Sequence, residues 1–148
     1  MATKFKGRVI IPGNLEGKAL VSKQPFNLTG SYFENMWAGN TTNAPCTDAN
    51  NKELFGKDMK GAIMCTPQTV GSTYGAGAIM GMNEIGVGMQ AYLFSAHVDS
   101  VSACGLIIDN IWNDRPIITV DLLGDKFMDT VKTGDPISIH EDGTVEVG

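Results

Sequence analysis

The sequence predicts an α/β fold with β-rich ends, on three observations. The second half alternates short apolar runs with longer helix-like segments, and the last sixteen residues alternate as two strands do. Glycine accounts for 18 of 148 residues, well above the usual ~7%, which asks for many turns or for close backbone approaches. The 43% of hydrophobic residues is spread evenly and suffices for one core. No repeat, low-complexity tract or linker interrupts the chain, so residues 1–148 read as one domain.

Taken in order, Lys6 to Ile11 (KGRVII) is a β-branched run stopped by Pro12-Gly13, hence a strand and a turn, and Glu16 to Ser22 is its expected hairpin partner. Lys23 to Lys60 is polar and Asn-rich, but the interspersed Phe26, Leu28, Tyr32, Phe33, Met36 and Trp37 favour an ordered functional loop region with short strands. Gly61 to Thr66 is a buried strand, Ser72 to Ile85 a helix capped by Ser72, and Val87 to Phe94 a second strand. Val98 to Trp112 reads as another helix and Pro116 to Asp121 as a further strand. Strand-helix-strand spacing of this kind implies parallel pairing with right-handed crossovers. The tail is two strands joined by the Glu141-Asp142-Gly143 turn.

A net charge of -5, with eleven Lys and Arg scattered singly, argues against nucleic acid, which needs clustered cations. No apolar stretch fits a signal peptide or a bilayer span, so the expected compartment is the cytoplasm. Cys46, Cys65 and Cys104 lack the even count of a disulfide framework and the close spacing of a metal site, and read as reduced thiols. Cys65 and Cys104 sit among apolar residues and are expected in the core; Cys46, beside Pro45, is left free to reach toward a partner. His97 and His140 have no carboxylate at ligand spacing, and Asp99 is placed to cap the second helix.

The most informative stretch is Thr66 to Ala78, TPQTVGSTYGAGA. It follows a buried strand and opens a helix, at the sheet edge where α/β proteins bind ligands. Gly71 lets the turn tighten, and Gly75 and Gly77 admit a backbone or ligand closely. Ser72 then has two readings. It is an N-cap, or it faces an anion or a developing oxyanion beside free amides and the positive end of the helix. The loop is neither a P-loop nor a dinucleotide fingerprint, and no G-x-S-x-G elbow is present.

The run GRVIIPGNLEGKALVS, Gly7 to Ser22, resembles the start of the aconitase X swivel domain. The likeness continues through Pro25, Gly30, Gly56, Gly61, Pro67, Gly71, Ser72 and Gly75 to Arg115-Pro116 and the T-G-D and D-G-T-V turns, and is weakest from Ser31 to Leu54. The resemblance implies a swivelling β/β/α domain, a mixed sheet or barrel with flanking helices. Such a domain closes over a large subunit that carries an iron-sulfur cluster or metal. It implies a hydro-lyase that dehydrates a hydroxy acid, 5-phosphomevalonate in archaeal relatives and cis-3-hydroxy-L-proline in bacterial ones, with the loop serine, here Ser72, as the base. Gly71, Thr73 and Gly75, with Asn27, Thr29, Gly30 and Ser31, would then meet the substrate. This chain has Val70 where family loops carry a basic residue and Ala76 where they tend to carry Ser or Thr, and its NLTGS segment is altered. These departures imply a shifted substrate, or an anion anchor on the partner. Swivelling domains also act as phosphohistidine carriers, but that role needs a histidine where this loop has Ser72, Thr73 and Tyr74. A non-catalytic scaffold of the same fold is the remaining alternative.

Overall fold

A computed structural model describes all residues, Met1–Gly148. In chain order the elements are β1 (Thr3–Lys6), β2 (Arg8–Ile11), β3 (Leu15–Val21), β4 (Phe26–Asn27), α1 (Leu28–Ser31), α2 (Phe33–Trp37), β5 (Ile63–Thr66) and β6 (Thr69–Val70). There follow α3 (Gly75–Glu84), β7 (Ala91–Phe94), α4 (Ser100–Trp112), β8 (Ile118–Asp121), α5 (Asp125–Thr130), β9 (Pro136–Ile139) and β10 (Thr144–Val147). Eight strands form one mixed sheet in the order β1-β10-β9-β3-β5-β7-β8-β2, and β4 and β6 form a separate parallel pair. The α/β class stands, and β5, β7 and β8 run parallel, as the strand-helix-strand spacing predicts, with β3 added parallel to β5. The first and last strands also pair, Thr3 opposite Val147.

The two edge strands, β1 and β2, are consecutive in the chain with only Gly7 between them. The sheet therefore curls until its edges meet, and is nearly closed. Gly7 has no room for a side chain: a Cβ there would lie 2.4 Å from the Asp121 carbonyl oxygen and 2.5 Å from Val120 Cγ1. This corner splits Lys6 to Ile11, expected as one strand, into β1 and β2. Beside this corner Arg8 fastens β2 to β8, with Nε donating to Asp121 Oδ1 at 2.9 Å and Nη2 to Oδ2 at 2.7 Å. The Val98 amide donates to the same Oδ2 at 2.7 Å.

The expected hairpin between Lys6–Ile11 and Glu16–Ser22 does not form. The apolar triplet Ala19, Leu20 and Val21 has to be buried on both faces, so β3 lies inside the sheet, antiparallel to β9 and parallel to β5, and β2 pairs with β8. Successive strand residues point to opposite faces. Val21, Cys65, Leu93, Val120, Ile139 and Val145 line the inside of the curled sheet together with Phe127 of α5. Leu20, Met64, Tyr92 and Phe94 face outward onto α3, α4 and the segment from Phe26 to Met59. Strands buried on both sides read as continuous apolar runs rather than alternating ones.

Other boundaries shift for local reasons. α3 begins at Gly75 rather than Ser72, and its N-cap residue, Tyr74, makes no side-chain capping bond. The strand expected from Val87 starts at Ala91, because the amides of Val87 and Gly88 both return to the Met82 carbonyl at the end of α3. α5 was not expected, being only six residues after Gly124 at φ 85°. Cys104 is exposed rather than in the core, since the buried stripe of α4 is Ser102, Gly105, Leu106 and Asp109. The polar stretch between α2 and β5 is ordered by its own side chains. Asn35 Nδ2 donates to the Asn40 and Asn43 carbonyls, Asn51 Nδ2 to Ser22 Oγ, and Thr47 Oγ1 to the Gly30 carbonyl. No helix is long and apolar enough to cross a membrane.

Gly7→Ala should lower the unfolding free energy by about 1–3 kcal/mol, the usual cost of overpacking. Urea denaturation checks this, and an unchanged midpoint would mean that the seam has room after all.

Candidate functional site

β5 ends at Thr66 and the chain turns through Pro67 into β6, a two-residue strand beside β4. That pairing sets Phe26 opposite Thr69 and Asn27 opposite Val70, so the two predicted site segments, Asn27–Ser31 and Gly71–Gly75, lie side by side. Asn27 Oδ1 accepts the Gly30 amide at 2.9 Å and caps α1. Gly71, at φ 107°, passes so close to Asn27 that a Cβ would lie 2.6 Å from that same Oδ1. Only glycine fits there on both counts.

Ser72 and Thr73 are exposed beyond this crossing. Ser72 Oγ accepts the Tyr74 amide at 3.1 Å, and the Ser72 carbonyl accepts the Gly75 amide at 2.9 Å. The amides of Ser72, Thr73, Ala76 and Gly77 have no protein acceptor. A hydroxyl oxygen already receiving one amide, next to further free amides at the start of a ten-residue helix, lies in a field that favours negative charge. Gly75 is buried, with the site of its missing Cβ 3.1 Å from Leu28 Cδ1, so it serves packing of α3 on α1. Ser31 is fully buried and faces the interior; its Oγ and the Thr29 Oγ1 have no hydrogen-bond partner.

A cleft of about 160 Å³ opens beside Ser72, walled by Thr69, Val70, Gly71 and Asp99 with Leu28 and Val101 as its apolar part. Thr69 Oγ1 donates to Asp99, and the hydroxyl of Ser102, fully buried, hydrogen bonds to Thr69 Oγ1. Asp99 caps α4, as expected, accepting the Ser102 amide at 3.1 Å. Burial opposes its ionisation, but the bonds from Thr69 and from the Ser102 amide and hydroxyl outweigh burial and hold its carboxyl below the ordinary range. Thr69, Asp99 and Ser102 were absent from the sequence-predicted site. The available signal was that Asp99 follows β7 at the same carboxyl edge of the sheet where Ser72 follows β5.

A larger concavity, about 430 Å³, lies among Gly61, Gln90, Arg115 and Pro116, at the opposite, amino ends of the parallel strands. It shares no residue with the serine loop. No three His, Cys, Asp or Glu side chains converge as a group able to hold a metal ion, and Cys46 and Cys65 are buried apart, in the outer and inner cores. His140 pairs with Glu146 at 3.1 Å, a carboxylate partner that its spacing in the sequence did not suggest.

A family model described as the aconitase X swivel domain matches residues 4–147. The phosphomevalonate dehydratase small subunit of Methanocaldococcus jannaschii is 31% identical over 137 residues, covering 92% of this chain and 90% of that protein. The protein of the same name from Archaeoglobus fulgidus is 28% identical over 145 residues, covering 97% and 98%. The crystal structure of Thermococcus kodakaraensis aconitase X in its holo-form is similar at a TM-score of 0.80 and 27% identity, covering 99% of this chain and 98% of that one.

Asp99→Ala removes the cap of α4 and should cost about 1 kcal/mol near neutral pH. The folded-state pKa is depressed, so the contribution is present above the unfolded value of about 3.9 and is lost as pH falls through the folded value. Wild-type and variant stabilities, measured by denaturation at several pH values, should converge in acid. A constant gap would mean that the carboxylate charge plays no part.

Proposed function

The chain belongs to the aconitase X swivel-domain family, and on that premise we propose that it is the small subunit of a two-chain hydro-lyase. The enzyme dehydrates a hydroxy acid in the cleft beside Ser72, closed from the other side by a large subunit. The naming of the relatives as dehydratase small subunits supports the subunit role. The observation that carries the catalytic assignment is the setting of Ser72: exposed, at the mouth of the cleft, its Oγ accepting the Tyr74 amide at the start of α3.

A serine hydroxyl is a poor base unless its alkoxide is strongly stabilised. The Tyr74 amide donates directly to that oxygen, the amides of Ser72, Thr73, Ala76 and Gly77 in the same loop and first helical turn are unpaired, and the helix adds its positive end. Closure by the large subunit would expel water and strengthen each of these terms. In the reaction, the Ser72 alkoxide takes a proton from a substrate carbon, the electron pair of that C–H bond becomes the carbon–carbon double bond and expels the hydroxide of the neighbouring carbon, and the proton now on Ser72 Oγ passes to that hydroxide, which leaves as water and restores the alkoxide. Gly71 and Asn27 fix the loop by their close crossing, and Thr69 with Asp99 holds the opposite wall.

The substrate is a hydroxy acid of the 5-phosphomevalonate or cis-3-hydroxy-L-proline kind. Of the cleft walls only Asp99 is charged, and Val70 stands where a cation would grip a phosphate or carboxylate, so the anion is held by the large subunit. An iron-sulfur cluster or metal belongs to that subunit too; the donor residues of this chain do not form a ligand set for one.

In the reconstituted two-subunit enzyme, Ser72→Ala should lower kcat by about 10²–10⁴-fold, the usual contribution of a positioned base, with subunit association unchanged. A variant that dehydrates at the wild-type rate would remove Ser72 from the chemistry.

A further inference from the structure

We propose that Asn27 is a second catalytic residue of the dehydration: its side-chain Nδ2 donates a hydrogen bond to the departing hydroxyl oxygen of the substrate beside Ser72. This rests on the dehydratase reading above and gives Asn27 a chemical task in addition to fixing the loop.

Asn27 ends β4, and the pairing of β4 with β6 sets it opposite Val70. Leu28, which follows it in the chain, and Gly71, which crosses it, both line the cleft that opens beside Ser72. The fold orients its amide. Oδ1 accepts the Gly30 amide at 2.9 Å, which fixes which end of the side chain is oxygen and which is nitrogen. Nδ2 is left with two N–H donors and no acceptor in the protein, and it is not sealed in the interior as the Ser31 and Asn35 side-chain oxygens are.

Capping does not explain the residue. Ser or Asp would accept the Gly30 amide and cap the four-residue α1 as well as Asn does. What Asn adds is the pair of amide donors. Gly71 leaves that amide uncovered. A Cβ at position 71 would stand 2.6 Å from Oδ1, 3.0 Å from Cγ and 3.3 Å from Nδ2, so any side chain there would lie across it. The bare backbone keeps the amide open toward the serine loop.

The chemistry needs a donor at this place. The proton that Ser72 Oγ removes from carbon passes to the departing hydroxide, so that oxygen has to come within hydrogen-bond reach of Ser72 Oγ. It gathers negative charge as its bond to carbon breaks and the C–H electron pair becomes the double bond. No cation lines the cleft, whose one charged wall is Asp99. A neutral N–H, held in place by the bond at its own Oδ1, stabilises the developing charge without reorganising. Asn27 keeps both of its protons throughout, and the water formed takes its second proton from Ser72.

The test uses the reconstituted two-subunit enzyme with whichever of 5-phosphomevalonate and cis-3-hydroxy-L-proline it dehydrates, beside the analogue of that substrate with fluorine in place of the departing hydroxyl. Asn27→Ser and Asn27→Asp both keep an acceptor for the Gly30 amide and lose the amide donors, so the Tm of the free chain should stay near wild type. Each should lower kcat on the hydroxy substrate by about 10²–10³-fold, with KM and the Kd between subunits little changed. Fluoride is a far weaker base than hydroxide and departs with less help, so the loss on the fluoro analogue should be clearly smaller. An equal loss on both would mean that the variants displace Ser72, and a wild-type kcat would leave Asn27 as a cap alone. Either result overturns the proposal and leaves the dehydratase reading standing. If the wild-type enzyme dehydrates neither substrate, that reading fails with it.

Discussion

The fully buried carboxylate of Asp121 ties the edge strand β2 to the floor of the cleft. Arg8, opposite it on the neighbouring edge strand β2, donates to both of its oxygens, and the Val98 amide donates to one of them as well. Asp99 follows directly and holds Thr69, which is paired through β6 to the Asn27 segment. A buried charge is tolerated only when paired and hydrogen bonded, and these three donors meet that condition. The geometry beside Ser72 thus depends on a contact between residues 113 positions apart in the chain.

Around that anchor the fold uses its strands on both faces. One side packs inward on Phe127 and its neighbours, and the other outward on α3, α4 and the long segment from Phe26 to Met59. That segment is covered by little regular structure, yet it carries Phe26, Leu28 and Tyr32 as buried residues and presents Asn27 to the serine loop. Side-chain amides and the Thr47 hydroxyl satisfy its backbone where no helix or strand does. It is a positioning device for the site as much as a connection.

The sequence made the parallel β5, β7 and β8 legible, because apolar runs bounded by glycine and proline leave no other burial. It also exposed the tail hairpin and the capping role of Asp99. What escaped it was decided by distance along the chain. The corner at Gly7 exists because Asp121 and Val120 occupy the space of a side chain more than a hundred residues away. The pairing of β3 with β9 and of β2 with β8 follows from the same closure, not from the local turn at Pro12-Gly13. In the site, the juxtaposition of Asn27 with Gly71 was anticipated as two neighbouring segments, but Thr69 and Ser102 could be joined to Asp99 only by the packing of a helix from a different crossover. Ser31 was misplaced for the complementary reason: in a four-residue helix half of the residues face inward.

The pairing of Thr3 with Val147 sets the two ends of the domain side by side, on strands that contribute nothing to the cleft. Neighbouring ends are the geometry that tolerates grafting and permutation, because joining them or inserting the whole unit into a host loop closes almost no extra chain. A module of this kind can be joined into a longer polypeptide without any change to the face that carries Ser72.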